Sequence, residues 1–127
     1  SGVVQYGEGP TGHGLYLLNS PSHDGESVTG LVAAGAQIVV FTTGRGNPCG
    51  FPIVPVIKVT GNRNVYQRQE DNIDIDVSTI LTGEETIQQA GERIFTEVLA
   101  VASGTLTKAE VLGHDELFVI TRRRGRL

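Results

Sequence analysis

A short stretch over residues 41–52, FTTGRGNPCGFP, sets one arginine between two glycines and puts hydroxyls on one side and prolines on the other. Glycine lets a backbone approach a ligand closely, and proline stiffens the path. Arg45 can then offer a planar fork of donors to a carboxylate or a phosphate, with Thr42 and Thr43 beside it for hydroxyl contacts. His23-Asp24 is a second centre, since a loop histidine can act as base, acid or metal ligand. The ordinary reading of that pair is a helix cap at Asp24 and an exposed, idle His23. Lys58 interrupts an apolar run and is either a buried functional amine or a charge that protects an edge strand. Asp71, Asp74 and Asp76 can supply hard oxygen ligands, and their spacing puts Asp74 and Asp76 on one strand face. A plain polar strand face accounts for them equally well, and the glycine and terminal glutamate of a calcium loop are missing.

Other signals carry less. Cys49 has no second cysteine with which to form a zinc site or redox pair, and it reads as a loop residue. His13 and His114 stand in weaker contexts still. Gly44-Arg45-Gly46 lacks the lysine and hydroxyl of a triphosphate loop and the spacing of a dinucleotide loop, so nucleotide binding is a minor reading.

The elements that must position these residues follow from periodicity. Residues 1–13 form an extended lead-in with short pairing at Val3-Val4-Gln5-Tyr6. Residues 14–18 read as a strand ending in the polar loop 19–24, and a helix follows with Asp24 as its cap, Val28, Leu31 and Val32 on one face and Gly35 as its stop. Residues 37–41 read as a buried strand that completes a strand–helix–strand unit, for which parallel pairing through a right-handed crossover is expected. The Arg45 loop therefore leaves a strand at its carboxyl end, where open α/β sheets bind ligands. A further strand runs over residues 53–60, with its start fixed by Pro55, and the turn at Gly61-Asn62 closes it. Residues 72–77 alternate cleanly as a short strand. Thr82-Gly83-Glu84-Glu85 reads as the capping box of the longest helix, whose apolar stripe comprises Ile87, Ala90, Ile94, Phe95, Val98, Leu99 and Ala102. Thr107-Lys108-Ala109-Glu110 repeats the capping pattern. Residues 117–120 form a last strand or an extended tail packed on the body. The fold expected is α/β, a three-layer, Rossmann-like domain with a mainly parallel sheet.

Bulk properties bound the function. The chain of 127 residues fits a single domain over 1–127. Its formal net charge of −4 argues against nucleic acid or an anionic membrane as partner. The Arg122-Arg123-Arg124-Gly125-Arg126 stretch runs against that trend and reads as a solvated terminus, with a basic contact arm as the alternative. One cysteine, no apolar run of membrane-spanning length and no secretory signature make cytoplasm the expected location.

The series Leu17-Leu18-Asn19-Ser20-Pro21-Ser22-His23-Asp24, residues 27–37 (SVTGLVAAGAQ), residues 40–46 (VFTTGRG), residues 52–62 (PIVPVIKVTGN), residues 71–76 (DNIDID) and Ala102-Ser103-Gly104 resembles the altronate and galactarate dehydratase family in its carboxyl-terminal part. The resemblance runs through nearly the whole chain. It implies the carboxyl-terminal domain of a hydro-lyase, inactive alone, in an enzyme that removes water from a sugar acid to give a 2-keto-3-deoxy acid with a divalent metal, iron or manganese. It also implies that the remaining domains of a parent enzyme are this chain's partners, with a homodimer left open. Within that expectation Arg45 takes the substrate carboxylate, and Thr42, Thr43 and Asn62 take sugar hydroxyls. His23 or Lys58 transfers protons, and Asp74 or Asp76 holds metal or orients a base. Two alternatives stand beside it: a non-catalytic anion-binding or assembly domain, and part of a sulfolactate sulfo-lyase, an activity that occurs in the same wider family.

Overall fold

The computed structural model describes residues 1–120 and shows a mixed α/β chain with small parallel sheets, divided into two compact units. One unit comprises Ser1–Gln37 with residues 117–120, and the other comprises Ile38–Glu116. The Arg122–Arg126 basic stretch lies outside the described residues.

In the first unit, strand β1 (Gly2–Gln5) pairs in parallel with β2 (Tyr16–Asn19), with Val3 opposite Leu17 and Val4 opposite Leu18. The short link between them turns through glycines at positive φ, 78° at Gly7 and 130° at Gly14. Helix α1 (Asp24–Ala33) follows. Its cap position is His23 and not Asp24, because His23 has the extended backbone and Asp24 is already in the first turn. Gly35, at φ 97°, takes the left-handed conformation just beyond the helix, as expected of a stop. Two glycines inside α1 have a packing reason. A side chain at Gly30 would meet the Tyr6 ring, whose hydroxyl donates to Glu26 O at 2.7 Å, and one at Gly25 would meet Leu117 and Val119. Residues 117–120 are therefore an extended tail on α1, tied down where Val119 N donates to Thr29 Oγ1 at 3.1 Å.

In the second unit, β3 (Val39–Thr42), β4 (Val56–Thr60) and β5 (Ile75–Asp76) form a three-stranded parallel sheet in the order β3-β4-β5. The expected pairing of the strands on either side of α1 is not found: β2 joins β1, and β3 joins β4. The described strands form two small parallel sheets, because the lead-in supplies β2 with its partner and β4 supplies β3 with its own, and the three-layer, Rossmann-like arrangement is not seen among them. The first half of the charged segment 66–71 falls in α2 (Arg63–Arg68), capped where Asn62 Oδ1 accepts from Asn64 N and Val65 N. A short α3 (Thr79–Thr82) precedes the long α4 (Ile87–Ala102), and α5 (Lys108–Leu112) follows. The capping box of α4 is Thr86 with Gln89, not Thr82 with Glu85, because α3 already occupies Thr82 and Glu85 is spent on Arg93 and Thr79. Thr107 and Glu110 do form the expected box on α5.

The core of this unit is built on one face of β4. Ile57 and Val59 pack with Ile75 and Val101, and Ile38, Val77, Ile94 and Val98 close around them. Side chains alternate across a strand, so Val56, Lys58 and Thr60 project from the other face. They are buried too, because the 43–51 segment covers that side. The apolar stripe of α4 is accordingly divided: Ala90 and Val101 are buried and Ile94 and Val98 join the core, while Ile87, Phe95 and Leu99 are exposed.

Candidate functional site

The three parallel strands of the second unit end side by side, and their ends form a cavity of about 400 Å³. It is lined by Thr42, Thr43 and Gly44 after β3, by Val59, Gly61 and Asn62 around the end of β4, and by Val77 after β5. This is the carboxyl edge at which parallel sheets receive ligands, since successive loops there leave the sheet together. A second cavity of about 620 Å³ shares Gly61 and Asn62 and is otherwise lined by Arg63, Ser78, Leu81, Thr82 and Glu84.

The loop that walls the first cavity is held by side chains of β4 and of the turn after it. Thr60 Oγ1 donates to Thr43 O at 2.7 Å, Asn62 Nδ2 donates to Gly44 O at 3.1 Å, and Lys58 Nζ donates to Pro48 O at 2.9 Å. Within the loop, Gly46 N donates to Thr43 Oγ1 and Cys49 N to Asn47 Oδ1. Gly46 has φ 88°, and any side chain there would run into the Gln69 amide, so both its conformation and its surroundings demand glycine. Arg45 projects from this braced segment. It is exposed and makes no hydrogen bond or ion pair with the described residues, which leaves its whole donor fork available.

Lys58 is not an edge charge, because β4 is the central strand and the residue is fully buried. Burial holds its amine below the ordinary lysine range, with Asp74 acting in the opposite direction. The amine donates to the Pro48 carbonyl, and Lys58 is not among the residues that line the cavity. Asp74 acts as a brace: Oδ2 accepts Lys58 N at 2.6 Å and Oδ1 accepts Lys108 N at 2.8 Å. Asp76 accepts Ser78 N through Oδ1 and faces Arg63 at 3.3 Å through Oδ2. Both carboxylates accept backbone amides, and among the described residues no group of three or more His, Cys, Asp and Glu side chains could hold a metal ion. The donor set among the described residues therefore does not by itself fit the divalent metal that the resemblance implies.

The expected substrate contacts are thus gathered in part. Thr42, Thr43 and Asn62 line one cavity, and Arg45 directly follows its Gly44 wall. Asn62 is committed at both ends of its amide, to the α2 cap and to the loop, so it shapes the cavity instead of offering free groups. His23 is exposed and belongs to the other unit. Sequence reasoning missed Thr60, although its spacing of two from Lys58 places it on the same strand face. It also missed Lys108, whose Nζ donates to Glu70 O and Ile73 O at 2.5 and 2.7 Å. The Arg93–Glu85 ion pair, with a closest approach of 2.7 Å, had no local signal. Hydrogen bonding from Arg93, and secondarily from Thr79, holds the Glu85 carboxyl below the usual range.

The described residues thus place a braced, glycine-rich loop at the carboxyl edge of a small parallel sheet in a mixed α/β chain. The family described as D-galactarate/Altronate dehydratase, C-terminal, matches residues 1–124, and the chain belongs to that family. It is 44% identical over 102 residues to galactarate dehydratase (L-threo-forming) of Escherichia coli (strain K12), a match covering 80% of this chain and 20% of that protein. It is 43% identical over 121 residues to the (2R)-sulfolactate sulfo-lyase subunit beta of Chromohalobacter salexigens, covering 95% of this chain and 31% of that protein. Altronate dehydratase of Bacillus subtilis (strain 168) is 35% identical over 117 residues, 92% of this chain and 23% of that protein. The chain thus spans between a fifth and a third of the length of these relatives. Among the described residues no helix is long and apolar enough to cross a membrane.

Proposed function

We propose that this chain is the carboxyl-terminal domain of a hydro-lyase acting on a sugar acid of the galactarate or altronate type, and that it binds the substrate carboxylate through Arg45. The observation that carries this reading is the cavity at the ends of all three parallel strands, walled by Thr42, Thr43 and Asn62, with Arg45, which has no partner among the described residues, next in the chain to its Gly44 wall. Loss of water from such an acid begins with removal of the proton on the carbon next to the carboxylate. The electron pair then expels the hydroxyl on the following carbon, and the enol that remains tautomerises to a 2-keto-3-deoxy acid. Negative charge builds toward the carboxylate as the proton leaves, so a fixed guanidinium stabilises the transition state more than the substrate. Thr42 and Thr43 supply hydroxyls that suit a polyol chain.

Lys58 is unsuited to the proton transfer, since its amine is buried against Pro48. The metal implied by the resemblance, iron or manganese, is ligated in the remaining domains of the parent enzyme.

A second reading rests on the match to the sulfo-lyase subunit over 95% of this chain. Sulfolactate also presents a hydrogen next to a carboxylate, with sulfite in place of hydroxide as the group expelled, so the same arginine serves either substrate. Assay of the full-length enzyme on aldarates, aldonates and sulfolactate separates the two. In that enzyme Arg45→Ala should lower kcat/KM roughly a hundredfold, the scale of a lost charge-assisted bidentate contact. Unchanged turnover would remove Arg45 from the mechanism.

A further inference from the structure

Lys58 has a side chain of the type used for proton transfer, yet the structure turns it to another use. It is fully buried in the central strand, and the hydrogen bond that its Nζ makes is to the main-chain carbonyl of Pro48, ten residues back along the chain. Thr60 and Asn62 follow at the alternating positions, and each donates a side-chain hydrogen bond to another carbonyl of the same loop, Thr43 O and Gly44 O. The row thus grips the loop on both sides of Arg45: Thr60 and Asn62 hold the residues just before it, and Lys58 holds the far limb. Gln69, lying against Gly46, fills the space that the middle of the loop would need in order to shift.

We propose that Lys58 is a positioning residue, the far anchor of a Lys58–Thr60–Asn62 row that fixes the glycine-rich loop and thereby sets where Arg45 points. The proposal rests on the reading of Arg45 as the carboxylate contact. Its physical basis is preorganisation. Arg45 is exposed and flanked by two glycines, so without the grip the guanidinium would have to be ordered by the ligand at the expense of affinity. Only Thr60 and Asn62 would remain to hold the loop, both at its near limb. A buried lysine held by a carbonyl is stiffer than a surface ion pair, because no water competes for the donor.

The position of Cys49, next to Pro48, provides a readout of the loop that needs no ligand. In the 127-residue chain, Lys58→Met keeps the aliphatic stem and removes the donor. Iodoacetamide should then alkylate Cys49 about tenfold faster than in the parent chain, in line with loss of a buried anchoring hydrogen bond. Galactarate, as the carboxylate probe, should bind at least several-fold more weakly. Arg45→Ala should cost much less affinity in the Lys58→Met background than in the parent chain, since coupled residues are non-additive. An unchanged alkylation rate would overturn the grip, and full additivity of the two substitutions would overturn the positioning of Arg45. If Lys58→Met does not fold, Thr60→Val tests the same row from its near end and should give the same non-additivity with Arg45→Ala; additivity there overturns the proposal. If Arg45→Ala leaves galactarate binding unchanged in the parent chain, the carboxylate reading fails, and the alkylation rate still decides whether Lys58 holds the loop.

Discussion

The two units of this chain each contain parallel strands, and they use them in opposite ways. In β4 every residue is buried, with core packing on one face and loop-gripping hydrogen bonds on the other. In the β1–β2 pair no residue is buried, and Val3 and Leu17, opposite each other in register, are 65% and 63% exposed. Parallel pairing by itself therefore says little about a strand's load. A central strand with cover on both faces can bury even a lysine and employ it, whereas a two-stranded sheet leaves one face to solvent.

The sharpest way to break that contrast is to cut the core under β4. Ile57→Ala removes a fully buried side chain from the face that meets Val101 and should cost about 2–5 kcal/mol in urea unfolding. A cost near zero would mean that β4 does not carry the unit. A smaller effect concerns the other face. Because burial lowers the Lys58 pKa in the folded state, the unfolded chain binds more protons between that lowered value and the ordinary lysine range. Stability should rise with pH through that window, by at most about 1.4 kcal/mol per pH unit, and Lys58→Met should flatten the rise. An alkaline profile identical in the two proteins would place the amine in contact with solvent. Smallest of all, Leu17→Ala on the open sheet face should change stability by no more than about 0.5 kcal/mol. A cost approaching that of Ile57→Ala would show that the β1–β2 face is covered in solution.

Local chemistry made several features legible. The capping box at Thr107 and Glu110 and the stop at Gly35 each depend on a few adjacent residues and stand as the sequence implies, whereas the strand expected over residues 53–60 begins only at Val56, just past Pro55. The glycines around Arg45 marked a loop of unusual path, and Gly46 at φ 88° bears that out. The α4 capping box was misplaced by a few residues, because Thr82-Glu85 and Thr86-Gln89 have the same spacing and only the intervening α3 distinguishes them. Asp74 and Asp76 show the limit of pattern. Alternation correctly put them opposite the buried isoleucines, but a carboxylate bracing amides and one binding metal have the same sequence signature.

By itself the sequence determined the family, most elements and the location of an arginine loop at the end of a strand, since these rest on local propensity and an ordered series of motifs. Only the tertiary structure decided which strands pair, that Lys58 is buried at the centre of its sheet, and that Thr60, Asn62 and Lys58 converge on the carbonyls of one loop. Those outcomes depend on which surfaces cover one another, and coverage is a property of residues far apart in the chain, to which no local pattern is sensitive.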